Sequence, residues 1–111
     1  MANYCFVVPI LPGGEEMMRH WNRVDIVHNA QHDAEFAEAG ITREQVWIER
    51  TPMGDMAVVS FEVDSVERAF GTFATSSGPW AVGFRDLLLH AHGIDVTKPT
   101  APNEQIVDWH A

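Results

Sequence analysis

The chain has 111 residues, 46% of them hydrophobic, and carries 7 basic against 16 acidic side chains for a formal charge of -9. That length builds about one domain with a real core, and the apolar fraction excludes wholesale disorder. The acidity disfavours nucleic acid and anionic membrane as partners unless a basic patch is concentrated somewhere, and none is: the arginines are scattered and Lys98 is the only lysine.

Cys5 stands alone, which excludes an internal disulfide and a cysteine-rich zinc site. The start, Met1-Ala2-Asn3-Tyr4, has neither the charged nor the long apolar region of a signal peptide. No apolar run approaches the ~20 residues of a membrane span. The expectation is a soluble, cytoplasmic protein.

Tyr4-Cys5-Phe6-Val7-Val8-Pro9-Ile10 is aromatic and β-branched, and apolar on both faces. It reads as a central strand covered on both sides, with Cys5 an inert packing thiol and Pro9 near the strand's end. Pro12-Gly13-Gly14 breaks the pattern, and Glu15 and Glu16 suit the positive end of a helix running to about Ala39, stopped by Gly40. That helix carries two conflicting stripes. Met17, Trp21 and Val24 share one side, whereas Ile26, Val27, Ala30, Ala34 and Ala37 lie on the other. Either the helix bends near Asp25, or its second half packs on something else, such as a partner subunit.

Two strands follow, Glu44 to Thr51 and Asp55 to Val63, joined by the turn Thr51-Pro52-Met53-Gly54. Asp64-Ser65-Val66-Glu67 reads as an N-cap with a capping-box glutamate. Val66, Ala69, Phe70, Phe73 and Ala74 then recur at helical period. Pro79 opens another helix with the face Trp80, Phe84, Leu87, Leu88 and Ala91, closed by Gly93. His90 and His92 fall in its last turn, where the helix dipole favours imidazolium. Residues 96–111 read as a linker holding Pro99 and Pro102, then a short edge strand, Gln105 to Trp109.

The order is that of a split βαβ unit: a single α+β, ferredoxin-like domain over residues 1–111, with a four-stranded antiparallel sheet and helices on one face. The uncovered face predicts a homodimer about a two-fold axis.

Tyr4 to Gly13, Gly40 to Trp47, Thr51 to Met56 and His92-Gly93-Ile94-Asp95 resemble the dimeric α+β barrel superfamily. More narrowly, they are similar to a small bacterial family of uncharacterised proteins within it. The resemblance implies a pocket in each subunit between sheet and helices. It also implies activities ranging over cofactor-free monooxygenases, cyclases, isomerases, haem-handling enzymes and proteins without a known reaction. No catalytic motif of the superfamily carries over residue by residue.

The sharpest chemistry-bearing group is His28-x3-His32-x2-Glu35. On a continuous helix these three fall in one narrow sector, on the side begun by Met17, Trp21 and Val24. Facing a pocket, they would supply acid–base catalysis, with Glu35 orienting an imidazole. On a bent helix they would be a solvated polar face. Trp21 and Trp80, each heading a stripe, together with Tyr4 and Phe84, are the expected walls of a site for a small apolar or aromatic ligand. The leading expectation is a cofactor-independent enzyme or small-molecule binding protein, with no metal and no cofactor. The alternatives are a non-enzymatic dimeric binding or regulatory module, and a metal- or haem-dependent enzyme using His28 and His32.

Overall fold

A computed structural model describes residues 2–98 and 100–111; Met1, and Pro99 of the expected linker, lie outside the described residues. The elements run β1 (Ala2–Pro9), α1 (Gly14–Trp21), a π-helical turn (Asn22–Ile26), α2 (Ala30–Ala39), β2 (Ile41–Thr51), β3 (Gly54–Val63), α3 (Val66–Thr75) and α4 (Pro79–His92). The strands form one open antiparallel sheet in the order β1-β3-β2. This is a mixed α+β architecture, as the apolar periods predict.

Side chains alternate across a strand, so the period of β3 decides which face is the core. Ala57, Val59, Phe61 and Val63 are buried, and the helices cover that face alone. Phe36 and Ala39 of α2, Ala69 and Phe73 of α3, and Trp80 of α4 meet Val59, Phe61 and Val63 there. Met18 of α1 and Ala91 of α4 meet Ala57 at the other end. Burying one such ring as fully as Phe73 stabilises the fold by about 1.5–3 kcal/mol. The start of α1 is pinned to the end of α4: a Cβ on Gly14 would lie 2.6 Å from the Ala91 carbonyl oxygen, which accepts the Leu11 N–H at 2.8 Å.

The predicted local signals around the hairpin are present except the capping box: Ser65 is the cap of α3, so Glu67 stands at the second helical position, one short of the place a capping box requires. Thr51 Oγ1 donates to the Gly54 carbonyl and accepts the Met53 N–H across the turn. Ser65 caps α3 by accepting the Arg68 N–H, and Gly93 ends α4 in the left-handed region.

Four expectations need correction. The helix predicted from Glu15 to Ala39 is interrupted, because the backbone passes through the π-turn, extends at Val27 and turns left-handed at His28 before α2 begins. β1 is an edge strand rather than a central one; its Tyr4, Phe6 and Val8 face the helices, and Cys5, Val7 and Pro9 on its other face are exposed. Cys5 lies on that uncovered side and is exposed. Gln105 to Trp109 forms no strand among the described residues; just before it, Asn103 bonds to Tyr4 Oη (2.9 Å) and to the Cys5 carbonyl (2.8 Å). No helix among the described residues is long and apolar enough to cross a membrane.

Candidate functional site

Two irregularities, one in a strand and one in a helix, build the site. In β2 the register slips between Ile41, opposite Val63, and Arg43, opposite Glu62. This bulge spends one extra residue, so Ile41 and Glu44 both face the helices where strict alternation would face Glu44 outward. The same slip keeps Val46 and Ile48 on the inner face, opposite Val59 and Ala57. The bulged strand thereby carries one carboxylate into the core layer.

The second irregularity is the π-turn. Its break leaves the Asp25 carbonyl without a helical donor, and the Trp80 indole N–H fills it at 2.9 Å. Asn29 then rejoins the chain. Its Oδ1 accepts the N–H groups of Gln31 and His32 at 2.9 and 3.0 Å as the cap of α2, while its Nδ2 donates to the Val24 carbonyl at 3.3 Å. One side chain thus sets the angle at which α2 leaves the turn, and with it the direction of His32.

His32 points at Glu44. Its Nε2 lies 3.8 Å from Glu44 Oε1, an ion-pair separation rather than a hydrogen bond, and its Nδ1 lies 3.0 Å from Asp33 Oδ1. The imidazole stacks on Phe36 with centroids 4.2 Å apart and meets Trp80 edge-on at 5.7 Å. Only 12% of the His32 side chain and 15% of the Glu44 side chain are exposed. Burial opposes the charge on His32, but the carboxylates of Glu44 and Asp33 outweigh it and raise its pKa above the ordinary 6.5.

Glu44 also lines a cavity of about 90 Å³ between the sheet and the helices. Its walls are Phe6 and Val8 of β1, Val59 and Phe61 of β3, Trp21 of α1, Phe70 and Phe73 of α3, and Phe84 and Leu88 of α4. Polar groups are few: Glu44, Asn22 of the π-turn, and His92 at the end of α4. His92 is buried, and its Nδ1 donates to the Pro9 carbonyl at 2.8 Å, which leaves Nε2 as the nitrogen with a free lone pair. Burial outweighs that hydrogen bond and lowers the His92 pKa below 6.5, so the ring is neutral at physiological pH. The Trp21 indole N–H is buried beside the cavity and meets no acceptor.

The expected site residues are thereby divided. His28, at φ 54°, is exposed in the turn before α2, outside the helix that carries His32. Glu35 is buried but turned away, on the wall of a polar groove shared with Arg68 and Thr72 of α3. The trio predicted for one helical sector therefore occupies three separate surroundings, because the break at Val27 and His28 removes the common axis. His28 and His32 no longer form a pair one turn apart, and no group of three or more His, Cys, Asp or Glu suited to a metal ion is assembled among the described residues. Trp21 and Phe84 line the cavity, and Trp80 packs on both, at 5.4 and 5.3 Å. Tyr4 stands edge-on to Phe70 at 6.1 Å, with its hydroxyl engaged by Asn103.

No family model, curated protein or solved structure matches the chain.

What the site does is read from its own geometry. Glu44 and Asn29 escaped the sequence reading as site residues, and His92, expected as a helix-end imidazolium, is instead buried with its pKa lowered by that burial. A signal for Glu44 was present: Ile41 and the pair Val46 and Ile48 fall on opposite parities, which a single regular strand cannot bury together.

Proposed function

We propose that the chain is a small-molecule binding protein or cofactor-independent enzyme for a small apolar or single-ring metabolite, with His32 and Glu44 as its acid–base pair. One observation carries this reading: a strand bulge turns the Glu44 carboxylate into an aromatic-walled cavity, and 3.8 Å from it stands His32, whose pKa is raised above 6.5 against the cost of burial by Glu44 and Asp33. Retaining such a pair in a core layer costs desolvation, and replacing it with apolar side chains is often stabilising. Perturbed histidines beside a cleft are characteristic of functional sites. His32 Nε2–H would donate to a substrate oxygen, and Glu44 would accept a proton or hold the conjugate imidazolium. The cavity is smaller than the ~150 Å³ of an engineered cavity that holds benzene. A ring therefore enters only with rotation of a wall side chain such as Leu88 or Trp21.

The same reading pairs two copies in the manner of a dimeric α+β barrel. The strand order with helices on one face supports it, as does the uncovered face of the sheet, where Val7 and Trp47 are half exposed.

A thermal-shift screen of short aliphatic and single-ring carbonyl and hydroxyl compounds tests the site, since a ligand raises the melting temperature by mass action. The expected result is a hit whose shift is lost in His32→Gln and Glu44→Gln and kept in His28→Ala. A hit indifferent to both His32 and Glu44, or no hit at all, would overturn the reading. The second outcome favours the other functional class, a non-enzymatic dimeric module, which the small volume of the cavity also suits.

A further inference from the structure

The structure leaves two apolar surfaces of one chain unsatisfied. The first is the open sheet face, where Cys5 and Val7 of β1 lie beside Ser60 and Val58 of β3, with Trp47 of β2 opposite Val58. The second is the segment after Asn103, in which Ile106, Val107 and Trp109 are 87, 71 and 78% exposed. Water-facing Ile, Val and Trp within four residues of one another are a costly pattern for a tail that stays in solvent, since burying each contributes about 1.5–3 kcal/mol.

The position of Asn103 gives the segment a direction. Its backbone N–H donates to Tyr4 Oη and its side chain to the Cys5 carbonyl, so the chain leaves the domain at the outer edge of β1. The eight residues that follow span up to roughly 26 Å when extended, enough to reach a neighbouring copy seated on the open sheet face. They do not lie on their own sheet.

We infer that residues 104–111 form an exchanged arm: in a pair of copies, Val107 and Trp109 of each chain pack on the Val7, Trp47 and Val58 surface of the other. The occupant is a second copy of this chain, because each copy offers both halves of the contact. A two-fold axis makes the two contacts equivalent and closes the assembly without leaving a free arm. The inference rests on the paired-copy reading above and adds to it the element that clasps the pair.

The test uses the full chain and a full-length Val107→Asp/Trp109→Asp variant, weighed by light scattering over a dilution series. A photo-crosslinking benzophenone amino acid at position 109 is the second measurement. The expected results are a dimer for the parent chain and association weakened on the order of tenfold or more in the variant. Irradiation then gives a covalent dimer on a denaturing gel. A dimer of unchanged affinity in the variant, or crosslinks confined to single chains, would overturn the arm while leaving the paired sheet standing. A parent chain that is monomeric throughout would overturn both.

Discussion

His32 and His92 show how two histidines of one chain are shifted in opposite directions by their neighbours. The carboxylates of Glu44 and Asp33 outweigh burial and raise the pKa of His32, whereas burial lowers that of His92 against its bond to the Pro9 carbonyl. The signs for stability follow. For His92, a folded pKa below 6.5 means that the unfolded chain takes up a proton first as pH falls, so stability is lost on the acid side of about 6.5. Replacing His92 with Asn keeps a side-chain N–H for the Pro9 carbonyl and removes the titration. Thermal melts from about pH 7 down to about pH 5 are expected to show a shallower decline for His92→Asn than for the parent. A variant that declines as steeply would place the acid sensitivity elsewhere. For His32 the sign is reversed: its contribution is complete below 6.5 and fades as pH rises through its raised folded value.

At the scale of elements, the irregular segments position the chemistry. The hairpin, the Ser65 cap and the Pro79 start were legible because each is written in contiguous residues. The break in the first helix was half legible: the conflict between the Met17-Trp21-Val24 and Ile26-Val27-Ala30 stripes demands a bend, but not that Asn29 would restart the helix. That knowledge needs the Val24 carbonyl and the His32 N–H in space. Asn29→Ala is expected to cost about 1 kcal/mol of stability in denaturant unfolding, the ordinary value of an N-cap, whereas Asn29→Asp keeps the cap. Both lose the bond to Val24, so both are expected to weaken ligand binding at His32. Unaltered stability in Asn29→Ala would show that the turn holds α2 without this cap. Glu44 was likewise only half legible: the opposite parities of Ile41 and the pair Val46 and Ile48 signal a slip without locating it. Alternation decides which face a residue takes only while the register is unbroken, and the bulge breaks it two residues earlier.

For the molecule as a whole, the sequence conveyed the α+β class and the order of elements, but overstated how much one chain completes. An apolar β1 reads as covered on both sides, yet one side is bare. The apolar Gln105 to Trp109 reads as a strand, yet it forms none among the described residues. Both misreadings share a cause: hydrophobic pattern reports that a surface must be buried and is silent on which molecule buries it. Ion pairs on the rim fasten α1 to the hairpin, with Arg50 bridging Glu15 at 2.6 Å and Asp55 at 2.7 Å. Arg50 and Arg19 hold the Glu15 carboxyl down at about 2, so this rim contact persists across the range in which the histidines titrate.

The proposed site rests on the pairing of His32 with Glu44, which lines the cavity. An NMR titration of the His32 imidazole, in the parent chain and in Glu44→Gln, tests it most directly. The predicted result is a pKa above 6.5 that falls when the carboxylate is removed. A His32 that titrates at the ordinary value in both proteins would contradict it.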